Sequence, residues 1–284
     1  MRIDQLLVQR GLASTRSQAQ RLIAGGVQWQ QGTDWRRVAK NGDDVPEDAE
    51  LRLLDDSEAR YVSRGGLKLE AALNQVGLSV NGFQCLDLGQ STGGFTDCLL
   101  QQGARFVVGV DVGSAQLHSK LHADPRVLCV EGLNARALDA SDLIAAYQES
   151  TGAGGQFDLE DVDEHEEGQE GDEGQDAAEI EFVPEFDLIV ADLSFISQTL
   201  VLPAVVPLLK TGGTLLTLVK PQIELQPGQV GKGGIVKDAA MYGIVEQRLR
   251  EACAVLGLTV THWFDSPITG GDGNREFFIC ATKD

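Results

Sequence analysis

Hydrophobic and polar positions along this 284-residue chain follow one rhythm near the start and another after residue 60. The first stretch, DQLLVQRGLASTRSQAQRLIAGGVQW, holds two short amphipathic segments on either side of GLAST. Ser14 or Thr15 is placed to cap the second helix, which carries Arg16, Gln20 and Arg21. A Gly-Gly break follows, then short strand-like pieces ending at AELRLL. Residues 1–58 thus read as a small α+β domain and 59–64 as a linker. Residues 65–284 read as a second, larger domain.

In the larger domain GGLKLEAALNQVG is helical, and apolar strand candidates follow at 84–89, 105–111, 126–131, 186–192, 213–219, 257–264 and 276–282. Helical stretches lie between most of them, notably 195–210 and 238–256. Strands alternating with helices predict an α/β domain whose seven-stranded, mostly parallel sheet is covered on both faces. Ligands of such sheets bind beyond the carboxyl ends of the strands. Residues 150–185 interrupt the pattern: Gly-rich, acidic and poor in apolar groups, they predict a disordered surface insertion rather than a metal site.

Charge is segregated in the same way. The net charge is −20, yet residues 157–185 alone hold fourteen Asp/Glu and no Lys or Arg. Residues 1–40 hold seven Lys/Arg against Asp4 and Asp34. A basic head is the footprint expected of a nucleic-acid contact. No apolar run approaches the roughly 20 residues that span a bilayer, and the N-terminus lacks the apolar core of a signal peptide. Five scattered cysteines without a CxxC pair predict reduced thiols in a cytoplasm, with no metal site.

The candidate chemistry sits at strand ends. In CLDLGQSTGGFTDCLL the spacing Gly89-x-Ser91-x-Gly93-Gly94 departs from GxGxxG, so a nicotinamide fingerprint fits poorly. Asp111, ending the next strand, suits a ribose diol, and Asp87 beside the glycine turn suits a ligand amino group. An amino-acid-bearing nucleoside matches both better than a pyrophosphate; a tight turn serving only helix–strand packing is the alternative. Asp192 ends FDLIVADLS, and Lys220 ends GGTLLTLVKPQ after an apolar-leaning run. A lysine there is poorly explained as a solvated charge and is suited to proton abstraction. Lys68 and Glu276 are individually weak signals.

YVSRGGLKLEAAL, LDLGQSTGGFTDCLL, GVDVG, PRV…NAR, FDLIVADLSFIS, LVKPQ, VGKGGIVKD and SPITGGDGNREFF, in this order, resemble the TlyA (haemolysin-A-like) branch of FtsJ-type ribosomal RNA 2′-O-methyltransferases. Residues 1–58 resemble the S4 RNA-binding domain of that family. The resemblance implies a Rossmann-like class I methyltransferase fold and S-adenosylmethionine as cofactor. It implies a catalytic tetrad of Lys68, Asp192, Lys220 and Glu276. A cofactor site of Asp87, Gly89, Ser91, Gly93, Gly94, Phe95, Asp111 and Asn134 follows, with Gln90 where a small residue is expected. Its glycines would let the backbone approach the methionine part of the cofactor. The expected partner is ribosomal RNA or a ribosomal subunit, contacted by Arg2, Arg10, Arg16, Arg21, Arg36, Arg37, Lys40 and Arg64. A non-catalytic assembly factor and a membrane-active haemolysin are the competing readings, and the sequence leaves the target nucleotide and oligomeric state open.

Overall fold

The computed structural model describes residues 1–54, 59–152, 182–270 and 273–284. The expected disordered insertion falls mostly at 153–181, outside the described residues. Its flanks are ordinary structure: Ser150 and Thr151 close a helix, and Phe182 stacks on Tyr147 with ring centroids 4.8 Å apart.

The N-terminal unit consists of α1 (Ile3–Gln9), α2 (Arg16–Gly26), β1 (Val27–Gln31), β2 (Asp34–Arg37) and β3 (Leu51–Leu53). Thr15 is the cap of α2, its hydroxyl accepting the Gln18 amide at 3.1 Å. The strands form an antiparallel sheet in the order β2-β1-β3. Ile3, Leu6, Leu7 and Leu22 from the helices bury against Val27, and Leu51 and Leu53 pack onto the same core.

The larger domain runs α3 (Arg64–Val76), β4 (Gln84–Leu88), α4 (Gly94–Gln101), β5 (Phe106–Asp111), α5 (Ser119–His122), β6 (Val127–Glu131) and α6 (Ala140–Thr151). It continues with β7 (Phe186–Ala191), α7 (Gln198–Val205), β8 (Leu209–Val219), α8 (Pro221–Glu224), α9 (Ala240–Val255), β9 (Leu258–Asp265) and β10 (Phe277–Lys283). The seven strands are ordered β6-β5-β4-β7-β8-β10-β9, parallel except for β10, which is antiparallel to both neighbours. Strand alternation sorts the core into two layers. Leu86, Leu88, Val108 and Val110 face one way with α7, while Cys85, Val107 and Val190 face α3 and α4 with Leu69 and Leu99. Asp87 shares the second face, which places it beneath α4.

Two boundaries differ from the sequence reading. The helix expected over 195–210 ends at Val205, because Pro207 sits in a following 3-10 turn and cannot continue it. Strand β8 therefore starts at Leu209, paired with Phe186, and Lys210 is held by Asp187 at 2.6 Å. The segment read as a linker over 59–64 is partly core: Tyr61 is buried, and the Val62 amide donates to Asp97 at 2.9 Å. Gln18 of α2 donates to the Tyr61 carbonyl at 3.3 Å, tying the two units together. All five cysteines are free thiols.

Candidate active site

The glycine turn sits where β4 ends, but its glycines have nearer neighbours than a ligand. Gly89 has φ +77°, and a Cβ there would lie 2.8 Å from the Asp192 carbonyl oxygen. At Gly94 a Cβ would lie 2.1 Å from Ser63 Oγ and 3.0 Å from the Gly66 amide nitrogen. These glycines let the rim loops of β4 and β7, and the helices α3 and α4, meet backbone to backbone. This is the packing role that stood as the alternative for the turn, and Gly89 also lines the cavity described next.

A cavity of about 510 Å³ opens beside this turn, at the carboxyl ends of β4, β5 and β7. Gly89, Ser91, Asp111 and Asn134 line it, as do Val112, Asp192 and Phe195. Gly93, Gly94, Phe95 and Asp87 are absent from its wall. Phe95 is buried and stacks on Phe278 of β10. The Asp111 carboxylate accepts the amides of Ser91 and Gly113, each at 2.7 Å, so it fixes the two loops that frame the cavity.

Asp87 is fully buried. One oxygen accepts the Thr96 hydroxyl at 2.7 Å, Gln90 donates to that hydroxyl at 2.9 Å, and the other oxygen has no hydrogen-bond partner. Burial pushes its carboxyl up to about 7, against the Thr96 hydrogen bond; the Asp192 charge adds to the rise. Gln90 does not narrow the cavity, because its side chain lies over Gly109, where a Cβ would come within 2.0 Å of it.

The four residues expected to do chemistry meet at one rim. Asp192 follows β7, Lys220 follows β8, and Glu276 precedes β10. Those strands are neighbours, and the pairing of Phe277 with Val219 sets Glu276 beside Lys220. Lys220 Nζ lies 2.6 Å from Asp192 Oδ1 and donates to Ser194 Oγ at 3.0 Å. Lys68 reaches from α3 to Glu276 at 2.5 Å, with only 10% and 3% of the two side chains exposed. Two separate lysine–carboxylate pairs result. Lys68 is thus neutralised by Glu276, as Lys220 is by Asp192.

A model of the FtsJ-like methyltransferase family matches residues 61–283, the span that contains the cavity and both pairs. The chain belongs to the FtsJ-like methyltransferase family. A model of the S4 domain matches residues 1–26. Among FtsJ-like relatives, the 16S/23S rRNA (cytidine-2′-O)-methyltransferase TlyA of Mycobacterium tuberculosis is 37% identical over 98% of this chain and 88% of its own length. Hemolysin A of Brachyspira hyodysenteriae is 32% identical over 98% of both chains. A solved Streptococcus thermophilus protein described as a hemolysin superposes with a TM-score of 0.66 at 35% identity, covering 100% of this chain and 89% of its own.

The basic residues divide into clamped and open. Arg2 and Arg16 both bind the buried Asp4 carboxylate, at 3.0 and 2.8 Å, and together hold it well below the usual carboxylate range. Arg10 donates to the carbonyls of Ala49 and Glu47. Arg64 donates to the Thr269 carbonyl at 3.4 Å, and Arg21 is half-buried. Arg36, Arg37 and Lys40 are exposed. Phe195, 95% exposed beside Ser194, escaped the sequence reading; an aromatic residue closely following a strand-end acid was its one signal. Among the described residues no cluster of three or more His, Cys, Asp or Glu could hold a metal, and no helix is long and apolar enough to cross a membrane.

Proposed function

We propose that this FtsJ-like chain transfers a methyl group from S-adenosylmethionine to a ribose 2′-hydroxyl of ribosomal RNA in the cytoplasm. The observation that carries the reading is the Lys220–Asp192 pair at the edge of a cavity of about 510 Å³. That size suits one nucleoside-bearing ligand. The wall also fits it chemically: Asp111 and Asn134 supply polar groups for a ribose and a base edge, and Val112 an exposed apolar face. When bound, S-adenosylmethionine supplies an electrophilic methyl group on a positively charged sulfur.

The chain's own residues do the rest. A 2′-hydroxyl is a weak nucleophile, so its proton leaves as the oxygen–carbon bond forms. Lys220 Nζ meets this oxygen and accepts its proton as the O–C bond forms, while Asp192 and Ser194 fix the amine in place. Glu276, level with Lys220 across the pairing of β10 with β8, is held by Lys68. Phe195 offers an unpaired base a surface to stack on. Holding oxygen and methyl in line accounts for about 7–11 kcal/mol of barrier, and proton transfer for a further factor of about 10²–10⁴. Geometry outweighs the base.

The test is methyl transfer from labelled S-adenosylmethionine to ribosomal RNA, followed by nucleoside analysis. Label recovered as 2′-O-methylnucleoside is expected. Label on a base, or none, overturns the reading.

A further inference from the structure

The small sheet of the S4-like unit has two faces, and only one is used by the fold. Residues alternate between faces along a strand, and the register of β1 with β2 and β3 sorts them. Val27 and Trp29 lie with Leu51 and Leu53 on the face that packs on α1 and α2. The opposite face carries Gln28 across from Arg37 and Arg52, and Gln30 across from Trp35. Arg52 reaches over β1 to place its guanidinium 6.0 Å from the centre of the Trp35 ring. Arg37 and Arg52 are exposed, while Gln28, Gln30 and Trp35 are half-buried.

We infer that this outer sheet face is a docking surface for single-stranded RNA, with Trp35 as the platform for an unpaired base. Its chemistry selects that partner. Two exposed arginines, Arg37 and Arg52, complement a phosphate backbone on a face whose other members, Gln28, Gln30 and Trp35, carry no acid. A tryptophan between them adds a π-face, and two glutamines add donors and acceptors for base edges. An outer sheet face serving solubility alone needs no half-exposed tryptophan. The face is separate from the methyl-transfer rim, and from Arg2 and Arg16, which are engaged with Asp4. The inference rests on the reading that the substrate is RNA.

The full chain carries three tryptophans, so Trp29→Phe/Trp263→Phe leaves Trp35 as sole reporter. A short single-stranded oligoribonucleotide should quench its fluorescence, and less so as salt rises. In the otherwise unchanged chain, Trp35→Ala should weaken binding of that oligonucleotide roughly tenfold and duplex RNA of the same sequence little. Trp35→Phe should retain most of the affinity, and Arg52→Glu should weaken both probes. Absence of quenching together with unchanged affinity in Trp35→Ala overturns the inference. Equal losses for single-stranded and duplex RNA overturn the stacking role. Methyl transfer by the unaltered protein is measured alongside, so failure of the catalytic reading appears there and not in the binding data.

Discussion

The two halves of this molecule handle positive charge in opposite ways. At the methyl-transfer rim each lysine is bound to one carboxylate, Lys220 to Asp192 and Lys68 to Glu276, and those pairs are the working parts we propose. In the basic head the paired arginines are structural, because Arg2 and Arg16 neutralise the buried Asp4 and Arg10 ties down two backbone carbonyls. The charges free to meet RNA there are the open ones, among them Arg37 and Arg52. On the proposed function, a paired charge marks chemistry in one region and scaffolding in the other. What separates them is position: a cavity mouth at strand ends against the base of a small core.

The comparison breaks most sharply at Lys220. Lys220→Ala should lower the turnover rate by about 10²–10⁴-fold or more, with S-adenosylmethionine affinity, measured by calorimetry, within about twofold of wild type. Full turnover would remove Lys220 from the mechanism. Next comes the Lys68–Glu276 pair, which is buried. Glu276→Gln or Lys68→Met alone should cost about 3–5 kcal/mol in denaturant unfolding. Lys68→Met/Glu276→Leu should recover much of that stability without recovering turnover. Recovery of both would make the pair scaffolding, like Arg16 with Asp4.

Asp87 gives a pH signature. The folded chain keeps its carboxyl protonated up to about pH 7, whereas the unfolded chain releases the proton near 4. Its favourable contribution is therefore complete below about pH 4 and is lost as pH rises through 7. Relative to Asp87→Asn, the wild type should lose on the order of 4 kcal/mol of unfolding free energy across that window. A difference flat with pH would place the carboxyl in water.

The smallest effects separate clamped from open arginines. Arg16→Glu puts a second carboxylate against Asp4 and should lower the melting midpoint by roughly 5 °C or more. Any loss of RNA binding in that variant follows from unfolding. Arg37→Glu should leave melting unchanged, weaken RNA binding, and reduce the salt slope by about 0.7 per lost phosphate contact. Melting curves and salt titrations that fail to separate the two variants would erase the distinction.

These contrasts also show what the chain discloses before folding. Strands β5, β7 and β8 are mostly apolar runs, so their ends, and hence Asp111, Asp192 and Lys220, could be located by counting. The seven-stranded sheet followed from alternation alone. Partners were another matter. Arg10 meets Ala49 and Glu47 across nearly 40 residues of chain, and nothing near Arg16 announces Asp4 as its acceptor. The packing neighbours of Gly89 and Gly94, Asp192 and Ser63, come from other loops and could not be read from the glycine spacing. Local pattern fixes where a residue lies along an element; it does not say what a distant element brings against it.

The central claim is that the Lys220–Asp192 rim delivers a methyl group to a ribose oxygen. Mass spectrometry of nucleosides from ribosomal RNA incubated with wild type, Lys220→Ala and S-adenosylmethionine tests it most directly. The account predicts 2′-O-methylnucleoside with wild type and only background with the variant. Equal 2′-O-methylation by both proteins, or methyl groups found only on bases, would contradict it.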